Sequence, residues 1–122
     1  MEVLTFDCDG LILIKPKVFT DERGHFLETY HSQKYSELGI SSSFVQDNES
    51  LSHRLVLRGL HFQAPPFAQG TLIRVVRGSI FDVAVDIRKN SPTFGKWHSV
   101  VLSADIINEL LIRGGLADGF VR

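Results

Sequence analysis

The chain has 122 residues, of which 43% are hydrophobic, and its 13 Lys and Arg residues against 14 Asp and Glu residues give a formal net charge of −1. This length predicts a single domain over residues 1–122, and the balanced charge with high apolar content excludes a disordered chain and argues against nucleic-acid binding. No apolar run approaches the ~20 residues of a membrane span, no signal peptide opens the sequence, and a single cysteine fits a reducing compartment, so we expect no membrane contact and a cytoplasmic location.

The first third of the chain predicts short strands and one short helix. Apolar residues from Leu11 to Phe19 indicate strand, residues 21–24 (DERG) indicate a turn, and a further short strand is expected from His25 to Tyr30. The best helix candidate runs from Ser32 to Leu38, with Ser32 as its N-terminal cap and the glycine after Leu38 as its stop.

The second half of the chain carries the strongest strand signal. Between Thr71 and Ile87, two β-branched runs are separated by residues 77–79 (RGS), which predicts a hairpin. Within the second run, Asp82 and Asp86 fall on the face opposite the large apolar residues. A further strand is predicted from Trp97 to Leu102, whereas residues 106–112 fit either a short helix or a strand. Many short strands between Gly and Pro turns are typical of a sandwich or barrel.

Two segments place polar side chains among apolar ones, residues 44–50 (FVQDNES) and 57–63 (LRGLHFQ). Such side chains line a cavity or face solvent on an antiparallel sheet, and the pattern by itself favours the solvent face. Ideal alternation puts Arg58 and His61 on opposite faces, unless Gly59 marks a bulge that brings them together.

The histidines do not predict a metal site. His61 is followed two positions later by Gln63, so the His-x-His pair that many small β-barrels use for metal is missing. The other four histidines are isolated and are expected at surface or turn positions; they are His25, His31, His53 and His98. Since nucleophile-elbow and phosphate-cradling glycine motifs are also missing, we expect neither a metal nor a cofactor.

General base chemistry remains, with His61 as the candidate base. An imidazole titrates near neutrality and takes a proton without an extreme pKa shift. Arginine side chains match phosphate oxygens with a planar fork, so three arginines are candidate anion ligands, each of which is otherwise an ordinary surface residue: Arg23, Arg58 and Arg74.

Several long segments, in unbroken order, resemble the dTDP-4-dehydrorhamnose 3,5-epimerases. They include residues 21–28 (DERGHFLE), 44–52 (FVQDNESLS), 57–63 (LRGLHFQ) and 78–88 (GSIFDVAVDIR). The match continues through residues 91–95 (SPTFG) and Gly119-Phe120. This order and spacing cover nearly the whole chain from Leu13 onward.

The resemblance implies an all-β fold class, a metal-independent cupin-type β jelly roll working as a cytoplasmic homodimer. It implies an isomerase that inverts carbons 3 and 5 of dTDP-4-dehydro-6-deoxy-D-glucose, on the way to dTDP-L-rhamnose for bacterial surface polysaccharides. In that reading His61 is the catalytic base, and Arg23 and Phe26 serve the partner subunit's site. The positions that match the family's substrate site are Arg23, Phe26, Glu28, Gln46, Asp47, Asn48, Arg58 and Asp82.

Two positions depart from the family pattern, and the jelly roll is expected to be incomplete at its C-terminus. Thr71 stands where the family has a lysine that holds the enolate oxygen, and Asp118 stands where it has a histidine, so its carboxylate is expected to repel an anionic intermediate. The family's acid tyrosine and base-orienting aspartate fall after Arg122. Three hypotheses follow: an epimerase with weak or no activity, a non-catalytic nucleotide-sugar-binding module, and an inactive truncated product.

Overall fold

The computed structural model describes residues 1–40, 44–62 and 70–122. These contain one short helix, α1 (Ser32–Glu37), and ten β-strands. The strands are β1 (Glu2–Thr5), β2 (Leu11–Lys15), β3 (Val18–Asp21), β4 (Gly24–Leu27), β5 (Leu57–His61), β6 (Thr71–Arg74), β7 (Ser79–Asp86), β8 (Trp97–Ser103), β9 (Glu109–Ile112) and β10 (Leu116–Val121). The prediction of an all-β fold is confirmed.

The strands form two four-stranded antiparallel sheets and one separate hairpin. The first sheet has the order β1-β2-β9-β6, the second has the order β5-β10-β7-β8, and β3 pairs with β4 alone. Side chains of both sheets meet in one core cluster, so the sheets pack face to face as a sandwich. Its most deeply buried leucine and isoleucine side chains are Leu11, Leu102, Leu110, Ile112 and Leu116.

Strict alternation along β2 and β9 lets the first sheet bury both of its faces. Leu110 and Ile112 point toward the second sheet, while Leu111 points the other way, into a smaller cluster with Ile14 and Tyr35 of α1. This second cluster explains why so short a helix is ordered, since packing and not propensity holds it.

The predicted hairpin between Thr71 and Ile87 is wrong. β6 pairs with β9 in the first sheet, whereas β7 pairs with β10 and β8 in the second sheet. The segment between them therefore crosses from one layer of the sandwich to the other. β-branched runs predict that strands exist, but they carry no information about which strand lies beside which.

Three local predictions also need adjustment. His31, not Ser32, caps α1, because its Nδ1 accepts a hydrogen bond from the backbone N–H of Lys34 at 3.3 Å. The strand predicted from His25 to Tyr30 is shorter and ends at Leu27. The ambiguous segment 106–112 is a turn followed by β9, because its apolar residues insert between β2 and β6.

Across the described ranges, no helix has the length and apolar character needed to cross a membrane.

Candidate functional site

A bulge between β5 and β10 organises the candidate site. Asp118 pairs with His61 and Phe120 pairs with Arg58, so two residues of β5 lie opposite Gly119 alone. The bulge that the sequence left open at Gly59 is thus present, and it turns Arg58 and His61 to the same face of the sheet. Only glycines fit here, since a Cβ on Gly59 (φ +129°) would lie 2.5 Å from the Cα of Gly119.

The face that Arg58 and His61 share is the inner one, which looks toward the first sheet. The pairing continues from Phe120 to Asp82 and from Asp118 to Ala84, and Ala84 is a buried core residue. Alternation alone favours the outer, solvent-facing side of the sheet for these residues, but the register places them on the inner side, where Arg58 and His61 both stay exposed.

Asp82 is the most unusual side chain on this face. It is 1% exposed, and neither of its carboxyl oxygens has a hydrogen-bond partner among the described residues. Burial, with a smaller contribution from the negative charge of Asp118, raises the pKa of Asp82 to about 7. Burial therefore favours the neutral, protonated form of this carboxyl up to about neutral pH.

Asp118 and His98 are two further polar residues on this inner face. Burial raises the pKa of Asp118, and the nearby His61 acts in the opposite direction. His98 lies opposite Ala84, packs against Phe6 at 5.4 Å between ring centroids, and is half-buried. The prediction that His98 is a surface or turn residue is wrong, because strand β8 turns its ring inward.

Hydrogen bonds hold Arg58 in place beside the bulge. Its Nε donates to Oγ of the buried Ser52 at 2.8 Å, and its Nη2 donates to the carbonyl of Leu51 at 3.3 Å. Arg122 donates to the carbonyl of Ser52 as well. These contacts fix the segment before β5 against β10.

The predicted site residues of segment 44–50 lie together but outside regular structure. Gln46 Nε2 donates to Asn48 Oδ1 at 3.4 Å, and both side chains are exposed, as is Asp47. No strand covers this segment. Gln63, the last residue of segment 57–63, lies outside the described residues.

Three further predicted residues lie on or beside the β3–β4 hairpin, which pairs with neither large sheet, whereas the candidate anion ligand Arg74 lies on β6 of the first sheet. Arg23 bonds Asp21 within the turn, with Nη2 to Oδ2 at 2.7 Å, and this bond lowers the pKa of Asp21. Phe26 is 71% exposed, and Glu28 pairs with Lys34 at 2.9 Å.

A cavity of about 1080 Å³ opens near the Asp86 end of β7. Phe6, Phe62, Arg88 and Thr93 help to line it, whereas His61 and Asp82 do not. Within the described ranges, no three His, Cys, Asp or Glu side chains are grouped as metal ligands require.

The comparisons with known proteins settle the family. The family model for dTDP-4-dehydrorhamnose 3,5-epimerase matches residues 5–122. The chain belongs to the dTDP-4-dehydrorhamnose 3,5-epimerase family. It is 56% identical to the enzyme of that name from Methanothermobacter thermautotrophicus, over 93% of this chain and 60% of that protein. It is 55% identical to the enzyme from Salmonella typhimurium, over 99% of this chain and 67% of that protein.

Solved structures of epimerase-family members match the fold of the chain closely, which confirms the jelly-roll prediction. The epimerase of Bacillus anthracis, solved with TDP and pyrophosphate bound, superposes with a TM-score of 0.95 at 45% identity, covering 98% of this chain and 69% of that one. The epimerase of Legionella pneumophila, solved with dTDP-4-keto-L-rhamnose, gives 0.93 at 47% identity, covering 98% and 64%. The chain thus spans about three-fifths to two thirds of the length of its epimerase relatives.

Within this epimerase-family fold, both departures from the family pattern lie on the inner face. Thr71 pairs with Ile112, which is a core residue between the sheets, and Asp118 lies directly opposite His61. Sequence reasoning singled out Asp118 as a repulsive charge and missed this neighbour. No signal in the sequence could have found this neighbour, because the pairing of β5 with β10 is known only from the fold.

Proposed function

We propose that this chain acts as an epimerase on dTDP-4-dehydro-6-deoxy-D-glucose, moving protons at carbons 3 and 5 on the way to dTDP-L-rhamnose. The single observation that carries the proposal is the bulge that turns Arg58 and His61 together onto the inner face, beside the buried Asp82. The ligands named for the Bacillus and Legionella relatives support a dTDP-linked sugar as the substrate.

His61 is proposed as the base that removes the proton next to the ketone. As the C–H bond breaks, its electron pair forms a carbon–carbon double bond and the carbonyl π electrons move to the oxygen, which gives an enolate. A proton that comes from solvent to the opposite face then inverts the carbon and restores the ketone. Arg58 is the cation nearest to His61 along β5, and the bonds to Ser52 and Leu51 preorganise it to stabilise the developing negative charge.

The substrate-binding residues are proposed to come from three parts of the chain. Gln46, Asp47 and Asn48 offer amide and carboxylate groups on one exposed segment. Arg23, Phe26 and Glu28 belong to the hairpin, whose exposed aromatic ring is suited to stack on a nucleotide. Because the hairpin pairs with neither sheet of its own subunit, we propose that it completes the site of a second copy in a cytoplasmic homodimer.

Solvent exchange tests the assigned base directly. The chain is incubated with the dTDP-keto sugar in D₂O, and deuterium at carbons 3 and 5 is followed by mass spectrometry and NMR. We expect incorporation that falls by roughly 10²-fold or more in His61→Asn, because a general base contributes about that factor.

The matched control is His53→Asn, which changes an exposed histidine of the segment before β5 and is expected to leave exchange unchanged. Equal incorporation with the unaltered chain and with His61→Asn contradicts the role of His61, and no incorporation by the unaltered chain contradicts the proposed activity.

A further inference from the structure

We propose that Asp21 is a positioning residue for Arg23, whose guanidinium it holds so that the free end of the planar fork is presented to a phosphate of the substrate. This inference rests on the proposed function, because it takes a dTDP-linked sugar as the substrate and Arg23 as one of its ligands. Asp21 is not among the substrate-binding positions that the family resemblance implies.

The turn between β3 and β4 brings the carboxylate and the guanidinium together. Asp21 is the last residue of β3, and its Oδ1 accepts a hydrogen bond from the backbone N–H of Arg23 at 2.8 Å. A bond from an aspartate side chain to the backbone two residues later is an Asx turn, which fixes the direction of the carboxylate. The carboxylate is thereby placed beside the side chain of Arg23.

The carboxylate binds one edge of the guanidinium and leaves another edge free. Oδ2 of Asp21 accepts hydrogen bonds from Nε of Arg23 at 3.2 Å and from Nη2 at 2.7 Å. A guanidinium has five N–H donors, so two on Nη1 and one on Nη2 remain. Neighbouring donors on these two nitrogens form the planar fork that pairs with two oxygens of a phosphate. Asp21 therefore decides which edge of Arg23 an anion meets.

The ion pair lies on the face of the hairpin that carries two exposed aromatic rings. Alternation along β3 puts Asp21 on the same face as Phe19, which lies directly opposite Phe26. The two rings are 56% and 71% exposed, and together with Asp21 and Arg23 they help to line a cavity of about 310 Å³. Because Arg23 belongs to the turn and not to a strand, its bond to Asp21 keeps the guanidinium on this face.

The exposure of the ion pair favours a positional role over a structural one. The side chains of Arg23 and Asp21 are 86% and 51% exposed, and ion pairs in solvent contribute little to folding stability. A guanidinium that is already ordered, by contrast, loses less conformational entropy when a phosphate binds. Glu28, another carboxylate beside the hairpin, pairs with Lys34 at 2.9 Å and so does not compete for Arg23.

NMR of the arginine side chains tests the pairing without ligand or activity. The chain is labelled with ¹⁵N, and the Nε–H signal of Arg23 is assigned by its loss in Arg23→Lys. In Asp21→Asn an oxygen remains for the Asx turn, but the negative charge that binds the guanidinium is gone. We therefore expect the Arg23 signal to shift and its exchange with water to become faster, and an unmoved signal overturns the inference.

The matched control is Glu22→Gln, which removes an exposed carboxylate of the same turn. We expect the Arg23 signal to stay in place in this variant. A shift as large as that in Asp21→Asn would show that the signal reports net charge and not the bond, and would overturn the inference.

Binding and kinetics distinguish positioning from a structural role. In Asp21→Asn we expect the Kd for dTDP, measured by titration calorimetry, to rise roughly 2–10-fold, the factor that corresponds to ordering one side chain on binding. In deuterium exchange, KM for the keto sugar should rise by a similar factor with kcat unchanged, because a phosphate contact is the same before and during the chemical step.

The outcomes separate this inference from the proposed function. A Kd for dTDP that is unchanged or lower in Asp21→Asn overturns the inference, since tighter binding would mean that the carboxylate only repels the diphosphate. If the unaltered chain binds dTDP but catalyses no exchange, the proposed activity fails, while the two Kd values still decide the role of Asp21. If the unaltered chain does not bind dTDP, both proposals fail.

Discussion

At the scale of single residues, the inner face of the second sheet carries a carboxyl group whose burial favours the uncharged form. Asp82 lies between the two sheets, and its pKa is raised to about 7 from its ordinary value of 3.8, first by burial and then by Asp118. A buried acid of this kind costs stability whenever it must ionise. Buried groups with a strongly shifted pKa are typical of functional sites.

The pH dependence of stability reveals this carboxyl. Between about pH 4 and 7, the folded chain holds a proton on Asp82 that the unfolded chain has released, so the free energy of unfolding falls as pH rises through this window. In Asp82→Asn we expect that decline to be shallower by up to roughly 1.4 kcal/mol per pH unit. Urea denaturation across the window measures it, with Asp105→Asn as the control, and an unaltered slope in Asp82→Asn contradicts the assignment.

At the scale of elements, the close approach of β5 and β10 decides where the candidate base points. Gly59 and Gly119 meet where two residues of β5 oppose one of β10. Without this bulge, alternation would place Arg58 and His61 on opposite faces of the sheet. The two glycines therefore shape the site by allowing the backbones of β5 and β10 to approach each other, and not by side-chain contacts.

A pair of glycine substitutions separates backbone clash from backbone strain. Gly59 and Gly24 have similar positive φ angles of 129° and 133°, but a Cβ on Gly24 meets nothing within 4 Å. We expect Gly59→Ala to lower the free energy of unfolding by about 1–3 kcal/mol more than Gly24→Ala, because its Cβ collides with the backbone of β10. Thermal and urea unfolding measure the difference, and equal losses would show that strain alone matters.

At the scale of the whole molecule, one buried hydrogen bond joins the helix to the first sheet across 74 residues of sequence. Tyr35 of α1 donates to the carboxyl of Glu109 on β9, and both side chains are 1% exposed. Burial raises the pKa of Glu109, and the bond from Tyr35 opposes that rise. The helix thereby covers the outer face of the first sheet. The inner face of that sheet packs against the second sheet, which carries the candidate site.

Removing the Tyr35 hydroxyl tests this connection. In Tyr35→Phe, the buried Glu109 loses its donor, so we expect the free energy of unfolding to fall by about 1–3 kcal/mol near neutral pH. In Tyr35→Phe the pKa of Glu109 is expected to rise further, because the hydrogen bond that lowers it is gone. The loss of stability should therefore be smaller in acid, where Glu109 is protonated and no buried charge is left without a donor. Urea denaturation near neutral pH and in acid measures this loss against Tyr30→Phe, which changes an exposed tyrosine. Equal effects of the two variants contradict the assigned bond.

The sequence by itself determined the elements and the family. Strands β2, β7 and β8 follow from their β-branched runs, and segments such as 21–28 and 57–63 are long enough to identify the epimerases by resemblance. These features are local, because a period-2 pattern or a motif is complete within a few neighbouring residues. For the bulge at Gly59, the glycine in the sequence indicated only that a bulge was possible, and the structure shows that it is present.

Only the tertiary structure decided which strands are neighbours and which charges meet. It placed β6 and β7 in different sheets, put His98 on the inner face, and set Asp118 opposite His61. Asp118 lies more than 50 positions after His61 in the sequence, and only the register of β10 places the two residues opposite each other. Such pairings depend on how distant segments share one core, which no local pattern in the chain encodes.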